Sequence, residues 1–191
     1  MSDDGDAFYN DTEPFVCDWI ENRIALGEFP KGRVDRRSIL DVQAEDLVGF
    51  TQLHFFCGLG GWPAALNQAG WPQYAPVVTA SLPCQPFSAA GKGLGVKDER
   101  HLWPHFFTLM SSLKPPLLFG EQVASAAGRE WMGHVCADLE SIGYSFACVD
   151  MPASVVGAPH IRQRLFWTAS LQNMQKPTLR NIPKQGSLWP D

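Results

Sequence analysis

Between residues 51 and 170, short apolar runs of β type alternate with helical stretches, and each run breaks at glycine or proline. A strand that is apolar throughout must be covered on both faces. A helix after each strand supplies that cover, so the alternation predicts an α/β domain built on a mostly parallel sheet with flanking helices. Residues 52–56 read as a buried strand that ends in the glycine-rich turn Gly58, Leu59, Gly60, Gly61. Pro63 at a first helical position and Gly70 just past the end bracket a helix. Residues 77–81 form the next strand, and a long Gly- and Ser-rich loop runs from Pro83 to about Arg100. A helix over 105–113 leads to a strand at 117–120. Trp131, Val135, Leu139 and Ile142 then stripe a helix that stops at Gly143, and strands follow at 144–149 and 164–169. Ahead of this pattern, Phe15, Trp19, Ile20 and Ile24 predict a helix over 14–26, and a second short helix begins near Ala44.

A chain of 191 residues supports one compact domain with a real core. The division expected is an acidic N-terminal segment at 1–50, a core at 51–170 and a tail at 171–191. No run of eighteen apolar residues occurs, and the acidic start is unlike a signal peptide, so neither a membrane span nor export is expected. Five cysteines without a C-x-x-C pair suggest neither a disulfide framework nor a zinc site, so no metal and a reducing cytoplasm are expected. The net charge of −5 argues against an enzyme that grips phosphate through bulk positive charge. The charge is uneven, however. Residues 1–50 carry 12 acidic and 5 basic side chains, and from residue 151 onward there are five basic residues and one acidic one. That asymmetry fits a phosphate-facing surface at one end, or simply a solvated surface.

Four groups sit at the ends of predicted strands. Phe56 and the glycines that follow let backbone amides approach an anionic or nucleotide ligand, although such a turn also serves tight packing. Cys84, held between Pro83 and Gln85-Pro86 at the carboxyl edge of the sheet, is either a nucleophile or a buried inert thiol. Glu121 follows a strand where a carboxylate with a raised pKa can give a proton to a ring nitrogen, or can merely start a helix. Arg162 and Arg164 alternate with Ile161 and Leu165, and paired guanidiniums bind phosphate or a carbonyl oxygen.

The order of these groups is more telling than any one of them. A Phe-x-Gly-x-Gly-Gly turn, then Pro-Cys-Gln with Phe-Ser, then Glu-x-Val, then Arg-x-Arg resembles the cytosine-C5 DNA methyltransferase family from about Leu53 to Thr168. The resemblance implies a Rossmann-like, S-adenosylmethionine-dependent methyltransferase fold. It also implies roles for matching positions. Cys84 would add to carbon 6 of an extruded cytosine, Glu121 would bind ring nitrogen 3 and the amine, and Arg164 would hold the carbonyl oxygen, with Arg162 counted among the catalytic group. Phe56, Gly58, Leu59, Gly60 and Gly61 would line the cofactor pocket, with Pro83 and Leu102 closing it. Gln85, Ser88, Lys92 and Arg162 would face DNA.

Several positions depart from the family pattern. Gln122 stands where the family has Asn, His160 where it has Gln, and His54 where the first motif has an acidic residue. Only 21 residues separate Gly61 from Pro83, too few for the two strands and the ribose-holding acidic residue that normally lie there. No large target-recognition domain follows Thr168, and the closing Asn-containing helix is missing from the end of the chain. Two losses read as relocations to the N-terminus. Tyr9-Asn10-Asp11-Thr12 with the helix after it is similar to the closing element, which puts Asn10 by the cofactor. Ser38-Ile39-Leu40-Asp41-Val42 is similar to the stretch that abuts the adenine, which puts Ile39 there.

The expectation is a compact cytosine-C5 methyltransferase acting on double-stranded DNA with S-adenosylmethionine, of the kind that suits mobile or viral genomes. Target recognition is expected from the loop after Ser88, the tail, a homodimer or a second subunit. Two alternatives remain open at this point: an inactive methyltransferase-fold module that binds DNA or a partner, and a thiol enzyme acting on free cytidine nucleotides.

Overall fold

Seven strands form one sheet in the order β2-β1-β3-β4-β5-β7-β6. They are β1 (Ala7–Asn10), β2 (Gly32–Asp35), β3 (Gln52–Phe55), β4 (Val77–Ala80), β5 (Leu117–Val123), β6 (Tyr144–Pro152) and β7 (Gln163–Leu171). The helices are α1 (Pro14–Ala25), α2 (Gly61–Gln68), α3 (Trp103–Leu113) and α4 (Ala126–Ser141). The computed structural model describes residues 6–83 and 102–172. All adjacent strands run parallel except β7, which is antiparallel to both β5 and β6. No described helix is long and apolar enough to cross a membrane.

Two strands, β1 and β2, precede the region where the sequence pattern predicts a sheet. All four residues of β1 are buried, as a strand covered on both sides requires. Its neighbour β2 is an edge strand with Gly32 and Arg33 exposed. Gly32 has a steric reason to be glycine: a Cβ there would stand 1.9 Å from the carbonyl oxygen of Ala7. The expected boundary at residue 50 falls inside this hydrogen bonding, because β1 pairs with β3 and Thr51 N–H donates to the Asp6 carbonyl at 2.9 Å. The sheet positions on that side of β3 are thus filled by strands from the N-terminus.

Register divides the sheet into two faces. Phe8, Leu53, Val78, Leu118, Ala169 and Phe146 form one row across it. This face carries the main core, packed by Phe106, Leu109 and Met110 of α3 and Trp131, Val135 and Leu139 of α4. The opposite row is Tyr9, His54, Thr79, Phe119, Thr168 and Ala147. There α1 and α2 share a smaller cluster around Tyr9, Ile20 and Phe29, and Trp62 of α2 stacks on Phe119 with ring centroids 5.7 Å apart.

Chain order then sets the hand of each crossover. From β1 to β2 and from β3 to β4 the chain moves in opposite directions across the sheet, yet α1 and α2 lie on the same face, so the two crossovers have opposite hands. The β4–α3–β5 crossover moves the same way as β3–α2–β4 but lies on the other face, so α2 is again the exception. The crossover through α2 therefore has the opposite hand to those through α1 and α3. The cause is the placement of β1 and β2 before β3 in the chain.

Two buried features are sensitive to change. A Cβ on Gly120 would stand 2.2 Å from the Trp167 indole, so Gly120→Ala is expected to lower stability by about 1–3 kcal/mol through overpacking, read from chemical denaturation. His54 is fully buried, stacked on Tyr9 at 5.1 Å, with Nδ1 2.8 Å from Thr79 Oγ1 and Nε2 without a partner among the described residues. Burial pushes its pKa down from 6.5 to about 3. The unfolded chain therefore takes up a proton below pH 6.5 while the folded chain does not, and the stability held by the neutral imidazole is present above that pH and lost beneath it. Between pH 7 and 5.5 the chain is expected to lose about 1 kcal/mol that a His54→Gln variant retains, measured by urea unfolding.

Candidate active site

Two cavities open along the carboxyl edge of the parallel strands, the edge where α/β sheets bind ligands. The first, of about 280 Å³, is lined by Asn10, Asp11, Thr12, Ser38, Ile39, Phe56, Gly58, Ser81, Pro83 and Leu102. Its walls meet because the N-terminal unit is bonded to the glycine turn. Asp11 Oδ2 accepts the Gly58 N–H at 2.9 Å and its Oδ1 accepts the Glu13 N–H at 3.1 Å. The Asn10 carbonyl accepts the Cys57 N–H at 3.2 Å, and Trp19 Nε1 donates to the Leu59 carbonyl at 3.1 Å. Asn10 is buried, and its amide donates to the carbonyls of Asp35 and Arg37 at 3.1 and 2.9 Å, tying β1 to the chain that leads to Ser38 and Ile39. Asp35, beside them, is held below the usual carboxylate range by hydrogen bonds from the Arg37 guanidinium.

The turn itself is tightly specified. Gly58 has φ of 49° and Gly60 φ of 83°, values that L side chains avoid. A Cβ on Gly60 would stand 2.4 Å from the Phe29 ring, so this glycine is needed for packing as well. Phe56 holds φ of 51° without being glycine, a strained conformation of about 1–2 kcal/mol at the wall of the cavity.

The second cavity, of about 450 Å³, is lined by Glu121, Arg162 and Arg164 together with Ser81, Trp62, Phe166 and residues of β6 and the turn after it. Arg164 Nε and Glu121 Oε1 form an ion pair at 2.5 Å between β5 and β7, with both side chains about three quarters or more covered. Arg162 is exposed at the mouth. Gln122 turns to the opposite face and is buried; its amide donates to the Leu82 carbonyl at 3.3 Å and accepts the Val123 N–H at 2.7 Å. It thereby anchors the end of β4 one residue before Pro83. Ser81 lines both cavities.

Six of the nine cofactor candidates, Asn10, Ile39, Phe56, Gly58, Pro83 and Leu102, line the smaller cavity. Gly61 lines the larger one instead. Leu59 and Gly60 line neither: the Leu59 side chain is 60% exposed, and Gly60 serves packing against Phe29. Glu121, Arg162 and Arg164 converge, while Cys84, Gln85, Ser88 and Lys92 lie outside the described residues. Ile161 is 81% exposed and precedes β7, so the alternation expected from residue 161 begins only at Gln163. Asn10 and the helix after it belong to a β1–α1–β2 unit within the sheet, not to a closing helix laid over it. Asp11 is a lining residue not among the expected ones; its signal in the sequence is an acidic residue just after the buried strand Ala7–Asn10.

A family model described as C-5 cytosine-specific DNA methylase matches residues 72–187. The chain is 35% identical over 104 residues to the type II methyltransferase M.NaeI of Lentzea aerocolonigenes, covering 53% of this chain and 25% of that protein. It is 25% identical over 199 residues to the type II methyltransferase M.HhaI of Haemophilus parahaemolyticus, covering 80% and 61%. A mutant of Spodoptera frugiperda DNMT2 shares the fold with a TM-score of 0.59 at 16% identity, over 92% of this chain and 45% of that one. A putative DNA modification methyltransferase encoded within an E. coli prophage does so with a TM-score of 0.55 at 19% identity, over 86% and 40%. The chain spans from a quarter to about three fifths of the length of these curated relatives.

Removing the Asp11 carboxylate leaves the Gly58 N–H without its acceptor. Asp11→Ala is expected to cost about 1–3 kcal/mol of stability and to speed amide hydrogen exchange at Gly58, measured by NMR, while amides in α4 keep their relative protection.

Proposed function

The chain belongs to the C-5 cytosine-specific DNA methylase family, and on that premise we propose that it methylates carbon 5 of a cytosine drawn out of double-stranded DNA, through a covalent adduct at Cys84. The observation that carries the reading is the Glu121–Arg164 pair, which faces a cavity beside the end of β4, the strand that leads to Pro83 and Cys84. A carboxyl group and a guanidinium side by side match the ring nitrogen and carbonyl oxygen of a cytosine edge. A base stacked inside a duplex cannot present that edge to a protein group while its ring is attacked from one face, so extrusion accompanies the chemistry.

The residues around the smaller cavity fit S-adenosylmethionine. Phe56, Ile39 and Leu102 offer apolar walls for a flat base, the Asp11 carboxylate is an acceptor for ribose hydroxyls, and Gly58 has open space beside its backbone, with nothing within 4 Å of the place a Cβ would take. When bound, the cofactor supplies an electrophilic methyl group. This chain's residues prepare the base to receive it. The Cys84 thiolate adds to carbon 6, forming a carbon–sulfur bond and moving the ring's electron pair toward carbon 5. Glu121 holds ring nitrogen 3 and the exocyclic amine, Arg164 binds the carbonyl oxygen, and Gln122 steadies the chain ahead of Cys84 through Leu82. With the methyl group on carbon 5, loss of the carbon 5 proton to water and breaking of the carbon–sulfur bond with departure of the thiolate restore the aromatic ring and free the enzyme.

An inactive module was an attractive alternative because two strands and a ribose-binding acid were absent after Gly61. The placement of β1 and β2 beside β3, with Asp11 at the end of β1 lining the smaller cavity, favours the active reading over that one.

Incubation with labelled S-adenosylmethionine and either duplex DNA or cytidine nucleotides is the test. Label is expected in DNA alone and is expected to vanish with Cys84→Ala. Glu121→Gln should lower the turnover number by about 10²–10⁴-fold. Asp11→Ala should weaken S-adenosylmethionine binding about 10-fold or more by calorimetry. Label in free nucleotides would support the thiol-enzyme alternative, and DNA binding without transfer would revive the inactive module.

A further inference from the structure

Three apolar side chains stand in solvent on the connection between β6 and β7: Val155 at 65%, Val156 at 68% and Ile161 at 81% exposure. The connection has a defined shape. Residues Ala153–Val156 form a 3₁₀ turn that ends at Gly157 with φ of 85°, Ala158 N–H donates to the Ala153 carbonyl at 3.2 Å, and Ala153 N–H donates to the Arg162 carbonyl at 3.1 Å. The loop is thus folded back and pinned at its base beside the larger cavity, of which Val156 and Arg162 form part of the rim.

Single exposed apolar residues are ordinary, but three on one connection whose Val156 lines a cavity mark a contact surface. Its charge points to the partner. From Met151 to Gln172 the sequence contains no acidic residue, and Arg162 stands exposed at the rim while Arg164 is paired with Glu121, a setting suited to a polyanion. Geometry points the same way, since a base inside the cavity stays joined through its backbone to the nucleotides on either side, and these must meet the rim.

We propose that Val155, Val156 and Ile161 pack against the DNA strand next to the extruded cytosine, covering stacking surface that the base leaves behind, while Arg162 binds a neighbouring phosphate. The inference rests on the reading that the larger cavity takes a base from duplex DNA. Apolar side chains inserted at an opened base step hold a duplex in a distorted form, and aliphatic residues serve in that role.

The test compares the full chain with a Val155→Ser, Val156→Ser, Ile161→Ser triple variant and with Arg162→Ala. Binding to linear duplex DNA of mixed sequence is followed by fluorescence anisotropy across a range of salt concentrations, with thermal melts and gel filtration alongside. The triple variant is expected to melt like the parent and to bind about 10-fold or more weakly, with the same slope of log affinity against log salt. Arg162→Ala is expected to lower that slope by about one. Triple-variant binding within about twofold of a DNA-binding parent would overturn this inference alone. So would a parent dimer that the triple substitution converts to monomer without loss of DNA binding, which would make the rim an interface between copies. A parent chain that binds no DNA would overturn the proposed function and this inference with it.

Discussion

The carboxylate of Asp11 joins two parts of the chain that lie 47 positions apart. One oxygen holds the amide of Gly58, the other holds the first turn of α1 through Glu13, and the main-chain carbonyl of the same residue accepts the Cys17 thiol at 3.1 Å. With Trp19 bonded to Leu59 and Phe29 seated against Gly60, this junction makes one wall of the smaller cavity from residues before 50 and the other from residues after. Neither part encloses the space by itself. The position of the glycine turn, the entry of α1 and the shape of the nucleoside-sized cavity all follow from that contact.

The sheet shows why such an arrangement is stable. Strands are held by ladder hydrogen bonds and by burial of both faces, and these depend on which strands are neighbours rather than on the order in which the chain visits them. Placing β1 and β2 first therefore preserves the sheet and its ligand-binding edge. The consequence appears in connectivity, where α2 makes a crossover of the opposite hand to those of α1 and α3, because it shares its face of the sheet with α1. The same face of β5, β7 and β6 carries Phe119, over which Trp62 of α2 stacks, and the exposed Phe166 and Val149, so this side of the sheet is only partly covered beside Glu121 and Arg164.

Much of the architecture was legible in the sequence. The apolar runs at Gln52–Phe55 and Val77–Ala80 showed themselves because they are buried on both faces, residues 117–120 because they open β5 with an apolar run, and the stripe Trp131, Val135, Leu139 marked α4 by its period. What escaped notice was short or atypical. Ala7–Asn10 has only four residues and follows an acidic stretch, while Gly32–Asp35 carries two charged residues because it is an edge strand. Strand β5 runs three residues beyond its expected end, since Glu121, Gln122 and Val123 pair with β7, a partner that lies more than forty residues further along the chain. The ion pair between β5 and β7 had the same history. Glu121 and Arg164 were each identifiable, but their contact depends on β7 inserting antiparallel beside β5. Asp11 was overlooked because its meaning comes from the amide of Gly58.

The sequence by itself determined the alternating elements, the glycines that permit a left-handed turn, and the order of Cys84, Glu121 and Arg164, because local conformational preference and chemical identity are carried by individual residues and their near neighbours. Only the tertiary structure decided that the first fifty residues complete the sheet, that Asp11 and Ile39 face Phe56 across one cavity, and that Glu121 and Arg164 share another. These are contacts between residues far apart in the chain, and no local pattern encodes them: they arise when strands choose neighbours that bury both faces of the sheet.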